Sequence, residues 1–165
     1  MFYELLQSIN DSAIGTLVRE NGLLFPWLEV LHVLAISVVV GSIAIVDLRL
    51  IGLASTTYPI SRLTKSMLPM TWIAFAFALA SGALLFSSQP INYFENTAFR
   101  GKMLLLLAAG LNMAFFHLLT MRGLALWDRD APTPLAARIA GIMSILIWVL
   151  IVAFGRWIGF TLSPF

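Results

Sequence analysis

The chain has 165 residues, of which 60% are hydrophobic and 11% charged. With a mean hydropathy of +0.93, it carries too little charge to surround an apolar core with a water-compatible surface. Ten Lys and Arg against eight Asp and Glu leave a net charge of +2, which is no footprint for nucleic acid, and the absence of cysteine excludes disulfides, thiolate metal sites, iron–sulfur clusters and thiol nucleophiles.

In residues 1–22, Phe2, Leu5, Leu6, Ile9, Ala13, Leu17 and Val18 recur at helical spacing, opposed by Glu4, Gln7, Asn10, Asp11 and Arg19. This pattern predicts one amphipathic helix lying in the membrane interface and ending at the C-cap signal Asn21-Gly22. It lacks the basic start of a signal peptide.

A bilayer core about 30 Å thick asks for roughly 20 apolar residues per helix. Four segments approach or meet that length: Leu23 to Val46, Met67 to Ser87, Met103 to Met121, and Ile139 to Gly155. The last extends through Trp157 and Phe160 if Arg156 snorkels to the interface. Residues 23–165 are therefore predicted to form an all-α, up-and-down four-helix transmembrane bundle. Pro26, Pro69 and the pair Pro132 and Pro134 mark starts of the first, second and fourth spans. Ala74, Ala78 and Gly82 form a small-residue packing stripe on the second.

The linkers after the first and third spans hold Arg49, Arg62, Lys65, Arg122, Arg129 and Arg138, against Arg19, Arg100, Lys102 and Arg156 at the other end. The positive-inside rule then places both termini on the periplasmic side of a bacterial inner membrane. Trp27, Tyr93 and Trp157 fit the outer aromatic belt, and Tyr58 and Trp127 the inner one. Asp128, Arg129 and Asp130 read as a solvated turn.

Ionisable groups inside spans are costly and so mark candidate sites. Counted from Pro26 and Phe99 at about 1.5 Å per residue, His32 and Lys102 lie roughly 9 and 5 Å deep, whereas His117 and Asp47 lie roughly 27 and 31 Å deep. The two histidines are thus about 18 Å apart along the axis, too far to share one haem. Two layers follow, an outer one of Glu29, His32, Arg100, Lys102 and Arg156 and an inner one of Asp47, Arg49, His117 and Arg122, with Asn112 on the third span. In the outer layer, His32 is a candidate axial ligand for haem b, Lys102 a second ligand as the neutral amine, and Arg100 and Arg156 partners for the propionates. The structural reading of the same residues has Lys102 snorkelling, Glu29 paired with Arg156, and His32 bonded to a neighbouring helix. In the inner layer, Met113, His117 and Met121 at four-residue intervals offer soft ligands for copper, with Met67, Met70 and Met143 in the same half; the alternative is an ordinary methionine-rich core. No H-E-x-x-H, G-x-S-x-G, G-x-G-x-x-G or Walker pattern occurs.

Leu31-His32-Val33, Val46-Asp47-Leu48-Arg49-Leu50, Phe99-Arg100-Gly101-Lys102 with Asn112 and His117, and Gly155-Arg156-Trp157-Ile158 resemble a family of uncharacterised bacterial four-helix membrane proteins over nearly the whole chain. More distantly, the order His, Arg, Lys is similar to the copper-resistance-D-like superfamily and the HemJ-type protoporphyrinogen oxidases. That resemblance implies a haem-bearing bundle in which His32, Arg49 and Lys102 matter. The expected function is a b-type haem protein passing electrons between a periplasmic or membrane partner and the quinone pool. The alternatives are a copper-handling permease or subunit working with a periplasmic metal-binding protein, and a cofactor-free anchor in a homo-oligomer or larger complex.

Overall fold

The computed structural model describes residues 1–128 and 132–162. Two short helices, α1 (Phe2–Asn10) and α2 (Ala13–Glu20), precede α3 (Leu24–Ile51), α4 (Ile60–Ser88), α5 (Pro90–Glu95), α6 (Thr97–Phe115) and α7 (Leu135–Leu162). The third long helix continues past α6 as a π-helical turn, Phe116–Thr120, and a 3-10 segment, Met121–Leu126. The described residues contain no strand. Four helical stretches of 28 or 29 residues are long and apolar enough to cross a membrane. At 1.5 Å per residue each reaches about 42 Å, the thickness of a bilayer with its headgroups. The chain is an up-and-down four-helix bundle, and its outward surface is largely apolar, with Leu104, Leu107, Leu111 and Leu118 exposed along the third span alone.

The helices overrun the spans expected from hydropathy, because their polar ends extend into the headgroup zone. Pro69 does not start α4; it lies inside it. In a membrane helix the missing N–H of one proline is tolerated where neighbouring groups satisfy the backbone. The helix starts nine residues earlier, after Pro59, where Asp128 accepts from the Ser61 backbone N–H at 2.8 Å and from its hydroxyl at 2.6 Å. Asp128 is therefore an N-terminal cap and not part of a merely solvated turn. Arg129 and Asp130, and residues 163–165 of the bundle segment, lie outside the described residues.

The amphipathic segment is also two helices, where one was expected. The Ser12 hydroxyl donates to the Ile9 carbonyl at 2.6 Å and accepts from the Gly15 N–H at 3.1 Å, so one side chain ends α1 and caps α2. The amides of Gln7 and Asn10 donate to Asp11 and hold its carboxyl below the usual range. Gly15 makes the docking of α2 possible: a Cβ there would sit 2.6 Å from the Ser87 carbonyl oxygen and 2.7 Å from that of Ile9. Arg19 then donates to the Ser88 and Asn10 carbonyls, each at 3.1 Å, satisfying the free acceptors at the ends of α4 and α1.

Within the bundle, α3 packs along α4 and α7, and α6 packs along α7, whereas α4 and α6 scarcely meet. Their gap is bridged at the end that carries the termini, where Phe86 stacks on Phe99 with centroids 5.5 Å apart and Tyr93 lies edge-on to Phe99. Val18, Leu28 and Leu85 form a small core at this end. At the opposite end, Leu50, Ile60, Phe116, Trp127, Ala137 and Ala140 form another. Trp127 is thus a buried core residue, 5% exposed, and not a member of an aromatic belt.

Candidate functional site

The polar residues of the bundle fall into two groups at different levels. At the terminal end, His32 projects from α3 onto α4 and rests on Gly82, where a Cβ would stand 2.9 Å from its Cε1 atom. The ring's Nδ1 is 3.0 Å from the Ser81 hydroxyl. That hydroxyl's shortest contact is to the Phe77 carbonyl at 2.7 Å, with the Ala78 carbonyl at 3.2 Å, and donation to either leaves it free to accept from the ring. That arrangement corresponds to the Nδ1–H tautomer, and the backbone of Ala78 also hydrogen-bonds the ring. Of the small-residue stripe, Ala74 and Ala78 are buried packing positions, while Gly82 is the floor beneath an imidazole.

Lys102, from α6, is half-buried and lies over α7, its Nζ 3.5 Å from where a Cβ on Gly155 would be. It is close enough to His32 for its charge to act on the ring, and no described residue accepts a hydrogen bond from it. Arg100 is exposed. Arg156 is also exposed and lies over the Phe160 ring, its guanidinium carbon 4.6 Å from the centroid. Glu29 is exposed and not paired with Arg156: the only ion pair among the described residues joins the N-terminal ammonium to Glu4. Instead Glu29 faces Tyr93, whose phenol is pushed up to about 12 by burial and further by that carboxylate.

The second group surrounds a cavity of about 300 Å³ in the half of the bundle away from the termini. Asp47, Asn112, Met113 and His117 all line it, as do the rings of Trp72, Phe75, Phe116 and Trp148. Asp47 is 5% exposed. Ser144 of α7 engages its carboxyl, and its Oδ2 is buried with no hydrogen-bond partner. His117 sits in the π-helical turn, a distortion frequent at functional sites. Its Nδ1 is 3.0 Å from the Met113 carbonyl, which can only accept, so Nδ1 carries a hydrogen, and no described residue is bonded to Nε2. Asn112 donates to the Ala140 carbonyl at 3.0 Å and ties α6 to α7.

Other inner-layer residues do not join this site. Arg49 is buried, 6% exposed, and donates through Nε to the Tyr58 carbonyl at 2.9 Å, steadying the turn that leads to α4. Arg122 is exposed. Met121 packs against the core around Trp127, while Met70 and Met143 face outward, 43% and 45% exposed. Among the described residues no three His, Asp or Glu side chains converge as a metal site. Sequence reasoning missed the hydroxyls of Ser81 and Ser144 and the cavity rings. Ser81 was the findable one, since it adjoins Gly82 at the end of the small-residue stripe.

Fold and polar groups together define a multi-pass membrane protein with an intramembrane cavity. The chain belongs to DUF6644, a family of unknown function, which matches residues 5–161. No curated protein and no solved structure matches it. The family match by itself makes no link to the copper-resistance-D-like or HemJ-type proteins.

Proposed function

We propose that this chain is a membrane protein of the b-type haem class that transfers electrons between a periplasmic or membrane partner and the quinone pool. The observation that carries this reading is the state of His32. Its Nδ1 is held by Ser81 at 3.0 Å and its ring is seated on Gly82, which supports a reading in which Nε2 serves as the ligand atom. A ligating histidine needs that arrangement, because the outer hydrogen bond fixes both the tautomer and the ring plane. The half-buried Lys102 nearby fits a second ligand as the neutral amine, and the exposed Arg100 and Arg156 fit the propionates. When bound, haem supplies one-electron chemistry. The protein holds the imidazole, keeps bulk water away with the surrounding apolar helices, and supplies the cationic rim.

The exposed Arg62, Lys65, Arg122 and Arg138 at the end away from the termini support a cytoplasmic placement of that end in a bacterial inner membrane. The test is an optical spectrum of the protein purified in mild detergent after expression with added haem, first oxidised and then reduced with dithionite. A Soret band with a sharpened reduced α-band is expected, lost in His32→Ala while the protein stays folded. A flat visible spectrum in folded protein overturns the reading. It would leave copper handling through Met113 and His117, tested by Cu(I) loading, or a cofactor-free anchor found with a stable partner.

A further inference from the structure

The cavity that holds Asp47 lies apart from the His32 site, and its chemistry points to a ligand of its own. Its walls are aliphatic and aromatic side chains with a few polar groups. The hydroxyl and imidazole hydrogens among these are already used. Ser42 donates to the Val39 carbonyl at 2.9 Å, Thr71 to that of Met67 at 2.8 Å, Thr64 to that of Ile60, and His117 to that of Met113. Ser144 engages the Asp47 carboxyl, and still the Asp47 Oδ2 is buried without a hydrogen-bond partner, while the remaining donors in the lining are neutral, the Asn112 amide and the Trp72 and Trp148 indoles. No Lys or Arg lines the space, and Arg49, two residues along α3, is directed to the Tyr58 carbonyl.

A carboxylate in such surroundings is unfavourable without a compensating charge. A purely apolar ligand would leave Oδ2 unsatisfied, and an anion would meet the carboxylate. The complement is positive charge on an apolar body, held between the acid and aromatic faces that attract cations. A volume of about 300 Å³ is at the small end of the range for small-molecule sites. The cavity also faces the seam where α4 and α6 scarcely meet, a route for a ligand dissolved in the bilayer.

We propose that this cavity binds a small lipophilic organic cation, an amine or quaternary ammonium group on an aromatic or aliphatic body, with Asp47 as its counter-ion and Trp72, Phe75, Phe116 and Trp148 around it. The site is independent of haem. Its probe is benzyltrimethylammonium, with neopentylbenzene as the uncharged isostere and benzyl alcohol as the neutral hydroxyl-bearing control.

Binding to the full-length protein in detergent is measured by calorimetry. The wild type should bind the cation saturably and at least about tenfold more tightly than either neutral compound, as expected for a desolvated charge pair. Asp47→Asn should weaken cation binding by at least about tenfold and leave neopentylbenzene unchanged. Absence of saturable cation binding, equal affinity for a neutral compound, or an unaltered affinity in Asp47→Asn overturns the proposal. Should that variant not fold, the wild type decides: a hydrophobic carbodiimide is reacted with the protein and the Asp47 adduct followed by peptide mass spectrometry. Slowing of the adduct by benzyltrimethylammonium but not by neopentylbenzene supports the site, and an unaffected rate refutes it.

Discussion

Replacing Gly82 by Ala separates the orientation of His32 from the stability of the bundle. The new Cβ would stand 2.9 Å from the ring's Cε1 and 3.5 Å from Nδ1, whereas carbon atoms rest at about 3.5 to 4.0 Å. The ring must therefore withdraw by about 0.6 Å or more. It is held at 3.0 Å by Ser81, the residue next to Gly82, so retreat from one lengthens the bond to the other towards the limit of a hydrogen bond. Losing that bond costs about 0.6 kcal/mol on the average of measured intramembrane pairs and about 1.7 at most. Removing a glycine from a helix interior returns about 0.8 to 1.0 kcal/mol. The net change in stability should lie within about 1 kcal/mol of zero, while the imidazole loses its fixed tautomer. Nitrogen NMR of protein labelled in histidine reads this directly: the wild type should show protonated Nδ1 and bare Nε2, and Gly82→Ala a mixture of both forms. Gly41→Ala on α3, where a Cβ has no neighbour within 4 Å, is the control and should leave the spectrum unchanged. A wild-type spectrum in Gly82→Ala would refute the cradle.

Gly15→Ala should release α2 from the bundle, because the Cβ meets backbone oxygens of Ser87 and Ile9 that have no room to yield; proteolysis in residues 10–22 should accelerate while the four spans remain protected. Asp128→Ala removes the cap on Ser61 and should destabilise the fold by about 0.5 to 2 kcal/mol, measured as a lowered thermal midpoint. The Tyr93 phenol, pushed up to about 12 by burial and by Glu29, should ionise well after an ordinary tyrosine near pH 10, seen as late phenolate absorbance. Because its folded pKa is raised, its contribution to stability is complete below about pH 10 and disappears as the pH rises towards about 12; Glu29→Gln should lower its titration midpoint.

Spans are legible because hydropathy accumulates over some 20 residues and one charge hardly alters the sum, which is why Glu29 did not hide the first helix, although the expected spans stopped short of Asp47 and Lys102, which the helices include. Helix ends are set by few groups, and there the signals of soluble proteins mislead. Pro69 was read as a start, yet the groups that begin α4 are Pro59 and Asp128, which lies 67 residues beyond the Ser61 it caps. Periodicity across residues 1–22 survives the break at Ser12, because two short helices folded against the same surface each bury an apolar face. The two polar layers were visible as depths along helices, since the rise per residue is fixed. Rotation about the axis was not, and it is rotation that brings His32 onto Ser81 and turns Arg156 outward over Phe160. The hydrogen bond from His32 to a neighbouring helix was one of two readings of that residue. It does not exclude the other, because the contact with Ser81 is made through Nδ1.

The seam between α4 and α6 explains why a chain this small has an internal cavity. The α3–α4 seam is drawn close by Ala74 and Ala78, by His32 on Gly82, and by Ser42 and Thr71 at 2.7 Å. The α3–α7 seam closes at Gly141, where a Cβ would be 3.2 Å from the Asp47 carbonyl oxygen, and Asn112 ties α6 to α7. Between α4 and the third span, links among the described residues lie towards the ends, Phe86 on Phe99 at one and Asp128, just past the 3-10 segment, on Ser61 at the other. Between them Trp72 and Phe75 of α4 line the cavity, where small residues close the other seams. The π-helical turn then widens the third span at the same level and directs His117 into the space. A buried carboxyl with one oxygen unpartnered, an imidazole tied to the Met113 carbonyl and a loosely packed seam lined by aromatic residues thus converge in one half of the membrane. Filling the space from the α6 side with Gly110→Leu should therefore remove ligand access to Asp47 without disturbing the tautomer of His32.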